Sequence, residues 1–285
     1  MWANPEEARS DFILAAAAAI LGPLLLRLLA PFGLEGLQSW GPIGGVVFGL
    51  LVFAFSGLVP LLLARYRGEG LAAFGLDTPR RALSAGVVVA APLVVVGAVE
   101  LWAISRSLPR ALGGVFADPS ILLFLALGAF VGSTLLFTFL TVKARDGFAR
   151  TELAQLQVLR TFGLAAAGAS LIVGLLLLPT GEPAPWWGSL LEPLALAAAV
   201  LLADRLVQPR VTTSRATILG PTIVALLLQV ELFGGAFLRS LREGLLAAGL
   251  VVVLAVLVET RQAAWAVVPL LAAASFYAVS FRPVL

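Results

Sequence analysis

The chain has 285 residues, 60% of apolar types and only 12% charged, with a mean hydropathy of +1.03. A water-soluble domain carries about a quarter charged residues, and one this apolar would expose patches larger than a soluble monomer tolerates, so composition argues against a globular fold in water. The net charge of +3 does not imply nucleic acid, because the basic residues sit in short loops between apolar runs and form no basic stripe with interleaved aromatics.

Taken in chain order, the first segment, Asn4-Pro5-Glu6-Glu7, reads as a helix cap with proline at the first helical position. It is acidic and leads into a run long enough to span a bilayer, unlike a cleaved signal peptide. Crossing a hydrocarbon core of roughly 30 Å takes about 20 apolar residues. Runs of that kind lie at about 12–31, 43–64, 84–104, 120–142, 163–179, 189–207, 216–234, 243–259 and 263–281. Pro31-Phe32-Gly33, Arg67-Gly68-Glu69-Gly70, Asp118-Pro119, Pro179-Thr180-Gly181 and Gln208-Pro209 separate them as helix breakers. The expected fold is all-α: one membrane domain over residues 1–285, a polytopic bundle of eight or nine transmembrane helices.

Loop charge sets the expected orientation. With a cytoplasmic N-terminus, thirteen basic residues from Arg9 to Arg261 fall in inside segments. Five, namely Arg106, Arg110, Arg239, Arg242 and Arg282, fall outside, and Arg27 lies within a span. The bias predicts N-terminus in and C-terminus out. Trp40, Trp102, Trp186 and Trp187 fall at outer ends and Trp2 and Trp265 at inner ones, as interfacial belts require. Eighteen arginines stand against a single lysine, Lys143, which reads as a mark of genome composition.

Cysteine and histidine are both absent. There is no thiol nucleophile, no disulfide, and no imidazole to bind a metal or act as a base near neutral pH. Histidine-ligated haem, zincin and rhomboid-like chemistries are thereby excluded, and no Walker loop or Gly-x-Ser-x-Gly elbow occurs. No cofactor or metal is expected. Carboxylates that could line a polar cavity are Glu100, near the outer end of its span, Asp204, ending the sixth span inside, and Glu231, closing the seventh. Intramembrane charge is a functional hypothesis by default, although all three read first as interfacial groups.

Segment 143–162 holds the densest polar pattern: Lys143-Ala-Arg145-Asp146-Gly-Phe-Ala-Arg150-Thr-Glu152, then Arg160-Thr-Phe-Gly163 opening the next span. On its own it reads as a juxtamembrane helix with snorkelling arginines. In order and spacing it resembles the CPBP family, the CAAX-protease and bacteriocin-processing membrane proteins. Arg145-Asp146-Gly-Phe-Ala-Arg150 stands where that family has Glu-Glu-x-x-x-Arg, and Arg160-Thr-Phe-Gly163 resembles its Arg-Arg-Phe-Gly turn. Val173 to Leu177, ahead of Pro179, has the frame of Phe-x-x-x-His, with Leu177 at the histidine. Thr212-Thr213-Ser214 leads into a span where Thr222 and Leu226 fall at the family's His-x-x-x-Asn, and Ala73-Phe-Gly75-Leu-Asp77 is similar to an early Leu-Gly-Leu stretch.

The resemblance covers about residues 60–230, with the spans of 243–281 added after it. It rests on spacing and topology, not intact motifs. It implies a water activated by the first glutamate, with histidines and asparagine positioning it and stabilising an oxyanion. Here that glutamate is Arg145, which cannot accept a proton, both histidines are gone, and the only asparagine is Asn4. Water activation needs a base and oxyanion stabilisation needs aimed donors.

The resemblance therefore points to a non-catalytic protein that binds a membrane-protein partner or lipid-like ligand, as an adaptor or scaffold. One rival is a small secondary transporter with broken helices at Pro60, Pro92 or Gly220-Pro221. Another is an enzyme working with Asp146, Arg150 and Glu152 alone.

Overall fold

The computed structural model describes residues 4–29, 42–75, 80–105, 133–148, 153–154, 157–177, 187–206, 213–229, 237–261, 265 and 268–273. Helix α1 (Pro5–Leu29) begins where the sequence signal placed it. The Asn4 Oδ1 accepts the Glu6 backbone N–H at 3.2 Å, satisfying one of the donors that a helix start leaves open.

The run at 43–64 is helical but not uniform. α2 (Pro42–Phe53) passes through a π-helical segment (Ala54–Leu58) into α3 (Val59–Tyr66). Pro60 falls at the start of α3, where its missing N–H is tolerated. Gly22 of α1 faces Phe55 of the π segment so closely that a Cβ there would overlap the ring. The sequence called Arg67–Gly70 a breaker, and its geometry is a Schellman close: Gly68 has φ 69°, its N–H donates to the Arg65 carbonyl, and the Glu69 N–H donates to the Ala64 carbonyl. A 3-10 turn (Leu71–Phe74) follows.

The remaining helices are α4 (Arg80–Ser105), α5 (Ser133–Phe148), α6 (Gln157–Leu177), α7 (Gly188–Leu206), α8 (Arg215–Gln229) and α9 (Phe237–Arg261). Pro92 and Pro221 lie inside α4 and α8, which continue through them.

Two expectations need correction. Segment 143–162 is not one juxtamembrane helix: α5 runs on to Phe148, and strand β1 (Leu153–Ala154) intervenes before α6. β1 pairs antiparallel with β2 (Thr213–Ser214), Leu153 opposite Ser214 and Ala154 opposite Thr213, one two-residue ladder among the described residues of an all-helical bundle. Arg239 and Arg242, read as loop residues, lie within the first turns of α9.

The core is centred on α9. Val251, Val252, Val253, Leu254 and Ala255 are buried in succession, and a helix apolar all round belongs inside a bundle. α9 packs on α6, α7 and α8; α1 packs on α5 and α8; α7 packs on α6 and α4. The helix that the sequence reading set after the 60–230 stretch therefore lies at the bundle's centre.

Three described helices are long and apolar enough to cross a membrane: Pro5–Leu26, Leu83–Glu100 and Arg160–Leu177. Much of the run at 120–142, the end of the run at 216–234 and most of that at 263–281 lie outside the described residues.

Gly249 tests the packing. A Cβ there would meet Leu196 Cδ2 at 2.6 Å and the Ala166 Cβ at 3.2 Å, closing α9 against α7 and α6 together. Gly249→Leu should destabilise the bundle by about 1–3 kcal/mol or more. The effect reads out as a lower midpoint of thermal aggregation in detergent, with Gly168→Leu, where a Cβ meets open space, as the tolerated control.

Candidate functional site

Among the described residues, the most charged part of the interior is where α1, the close of α3 and α5 meet. Lys143 is 1% exposed and Asp11 is 1% exposed. The Lys143 Nζ lies 3.0 Å from Asp11 Oδ2 and donates to Glu69 Oε1 at 2.7 Å. Arg67 reaches the same aspartate with both arms of its fork, Nε at 3.2 Å from Oδ2 and Nη2 at 3.1 Å from Oδ1, while its Nη1 lies 3.2 Å from Glu7 Oε2.

Local structure explains the placement. The Schellman close turns the chain so that Arg67 reaches Asp11 and Glu7 of α1 while Glu69 reaches Lys143 of α5. Asp11 follows Ala8 and precedes Ala15 on the buried face of α1, and Lys143 continues the buried stripe of Leu136, Phe139 and Leu140 on α5. The lysine's ammonium lies 5.4 Å from the centre of the Phe139 ring, which stacks on Phe74 of the 3-10 turn.

With three carboxylates and two cations, the group carries a formal charge of −1. The hydrogen bond to Asp11 drives the Arg67 pKa above its already high value, against the desolvation that opposes it. Arg67 therefore stays charged at any physiological pH.

Beside this network, Arg9 Nε donates to the Gly147 carbonyl at 2.7 Å, and its guanidinium lies 5.3 Å from the centre of the Phe148 ring. A cation on the last carbonyls of α5 complements the helix dipole. Next to it, Arg145 Nε donates to Asp146 Oδ1 at 2.8 Å. The two residues at the family's paired-glutamate positions thus neutralise each other.

A second charged group lies at the other end of the bundle. Arg242 of α9 bonds Glu192 of α7, both largely buried, and Glu100 of α4, 3% exposed, lies within electrostatic reach of both. Asp204 is not part of it. It stands twelve residues along α7 from Glu192, about 18 Å at 1.5 Å per residue, and faces Arg160 at 3.9 Å. Glu231 lies outside the described residues.

The positions matched to the family motif occupy different levels. The β1–β2 ladder puts the end of α5 and the starts of α6 and α8 at one end of the bundle. Along the helix axes, Asp146 is then about 3 Å from that end, Thr222 about 10 Å and Leu177 about 30 Å. Val173 is buried on α6, one turn before Leu177; Leu226 is half-buried on α8, one turn after Thr222. The Thr222 hydroxyl donates to the Ile218 carbonyl of its own helix. Arg150 and Glu152 lie outside the described residues. Among the described residues no cluster of three or more carboxylates could hold a metal ion.

Asp11, Glu69, Lys143, Glu192 and Arg242 were not read from sequence as site residues. A polar residue at core spacing within an apolar run was the available signal for Asp11 and Lys143. Nothing local could have paired them. No family model, no curated protein and no solved structure matches the chain.

Breaking a buried ion pair from one side leaves an uncompensated charge and costs about 3–5 kcal/mol. Lys143→Met should therefore destabilise the protein strongly. Lys143→Met with Asp11→Leu should cost clearly less than the sum of the two single changes, measured as a double-mutant cycle on unfolding in mixed micelles. Additive losses would mean that the two side chains are not coupled.

Proposed function

We propose that the chain is a multi-pass membrane protein of eight or nine spans, with its N-terminus cytoplasmic and its C-terminus outside, that works without catalysis as a binding, adaptor or scaffold protein. The observation that carries the membrane reading is an inverted distribution of polarity. Val95 and Ile172 are each 61% exposed and Leu14 is 53% exposed, while Lys143, Asp11 and Glu100 are buried. A protein in water places these the other way round. In lipid, apolar side chains face the solvent, and charges turn inward to find partners.

The orientation draws support from the grouping of the charges. Arg9, Arg67, Lys143, Arg145, Arg160 and Arg205 gather at the end of the bundle that holds the β1–β2 ladder. Of the described residues, Arg239, Arg242 and Arg27, near the end of α1, lie toward the opposite end. Tyr66, 82% exposed at the first end, and Trp102, 62% exposed at the second, occupy the levels of interfacial aromatics.

The non-catalytic reading rests on the lack of histidine and on the Arg145–Asp146 pair. The chain is similar in order to CPBP-type membrane proteases, yet the position that should supply the base holds a cation whose partner is the adjoining carboxylate. A site of that kind can hold a partner or a lipid-like molecule by shape and charge, with no means of activating water. A transporter is the rival that one observation favours, the charged group of Glu100, Glu192 and Arg242 held between three helices. Solute-driven proton flux in liposomes that disappears in Glu100→Gln would replace the scaffold reading with that one.

The absence of native cysteine makes topology directly testable. In intact cells, Trp102→Cys should react with an impermeant maleimide, and Tyr66→Cys should react only after the membrane is opened. The reverse pattern would invert the orientation, and recovery of the chain in the aqueous fraction without detergent would dismiss the membrane reading. Purified protein in nanodiscs should show no cleavage of prenylated or hydrophobic peptides above background, and Asp146→Asn should not change that. Turnover that Asp146→Asn abolishes would contradict the non-catalytic assignment.

A further inference from the structure

Between α6 and α7, at the end of the bundle that holds the β1–β2 ladder, lies a groove of about 570 Å³ lined by Arg160, Ala198, Leu201, Leu202, Asp204 and Arg205. Its mouth is cationic and its wall is apolar. We infer that this groove binds an anionic phospholipid, with the phosphate between the guanidinium groups of Arg160 and Arg205 and one acyl chain along the outer face of α7. The inference rests on the membrane reading above and assigns to it a lipid class and a place.

The helix geometry gives the acyl path. Leu194, Ala198, Leu201 and Arg205 recur at spacings of four, three and four, which sets them in one stripe on α7. Leu194 is 58% exposed, and Leu201 and Arg205 are exposed beside it. From Arg205 to Leu194 the stripe is about 16 Å long, close to one leaflet of a hydrocarbon core of roughly 30 Å. A lipid with its phosphate at Arg205 would therefore run its chain to about the bilayer midplane against side chains that nothing else in the described structure covers.

The charge balance selects the headgroup. Among the described residues, Asp204 is the only carboxylate lining the groove. It stands 3.9 Å from Arg160, farther than a direct hydrogen bond. Arg160 is more than half exposed, and Arg205 makes no ion pair among the described residues. Two guanidinium groups against one carboxylate leave a net positive site at the membrane surface, and paired arginines bind phosphate oxygens through their forked donors. A zwitterionic lipid would bring its own cation into that site, whereas phosphatidylglycerol brings none. Basic pockets between helices at the cytoplasmic face bind anionic headgroups on this principle.

The test uses the full chain purified in a mild detergent, offered phosphatidylglycerol and phosphatidylcholine of matched acyl chains and weighed by native mass spectrometry. The chain should retain phosphatidylglycerol in preference. Arg160→Gln and Arg205→Gln should each lower that preference about fivefold, and together about thirtyfold. Asp204→Asn should raise it, and Arg239→Gln at the opposite end should leave it unchanged. Inorganic phosphate at millimolar concentration should fail to displace the lipid, because it lacks the acyl contact.

An unchanged preference in the double variant, or equal retention of both lipids by the parent chain, overturns the inference while leaving the membrane reading intact. Displacement by inorganic phosphate overturns it in favour of a plain anion site. Failure of the membrane reading itself would show differently, as a chain that stays in solution when detergent is removed.

Discussion

Lys143 ties three segments of the chain together through one ammonium group. Its nitrogen bonds Glu69 beyond α3 and pairs with Asp11 of α1, and Arg67 closes the group from the other side of that aspartate. On the membrane reading, a charge at the level of the hydrocarbon needs a partner inside the bundle. Water would solvate a lysine on the surface at little cost, but hydrocarbon does not. On that reading, one condition accounts both for Ile172 and Val95 facing outward and for Lys143 and Asp11 facing inward. The architecture is one solution to a single constraint: every charge that cannot reach an interface must meet a partner.

The rest of that end of the bundle is arranged around the network. The Schellman close at Gly68 gives the turn that sends Arg67 to Asp11 of α1 and Glu69 to Lys143 of α5. Arg9 caps the last carbonyls of α5, so α1 and α5 are held both by paired charges and by a helix-end contact. The two-residue ladder between β1 and β2 links the ends of α5, α6 and α8. At the far end the Glu192–Arg242 pair, with Glu100 nearby, joins α4, α7 and α9. Between the two charged ends the helices meet through small residues, as at Gly249 against Leu196, and through the continuous apolar column of α9. Polar fastening at the ends with close apolar packing between them is what a bilayer, polar at its faces and dry at its centre, demands of a helical protein.

Much of the helical pattern was legible because it depends on neighbours in sequence. The cap at Asn4 and Pro5, the close at Gly68 and the apolar character of α1, α4 and α6 are all local signals. The charged network was not legible, because its partners are 74 residues apart for Lys143 and Glu69 and 56 apart for Arg67 and Asp11. A lone lysine at the edge of an apolar run looks like a loop residue until the helix is seen to continue past it. The π segment at Ala54–Leu58 and the ladder at Leu153–Ala154 were hidden for a related reason: π and strand geometry over so few residues are set by what packs across them. The positions matched to the CPBP motif could be counted along the chain, but their heights in the bundle follow only from which helix ends meet.

Lipid as the solvent of the outer surface is the claim on which all of this depends, and nitroxide labels on the cysteine-free chain in nanodiscs measure it directly. Labels at Val95 and Ile172 should collide freely with oxygen and be shielded from a water-soluble nickel chelate, whereas a label at Tyr66 should meet the chelate. Nickel accessibility at Val95 and Ile172 equal to that at Tyr66 would place those apolar faces in water and contradict the account.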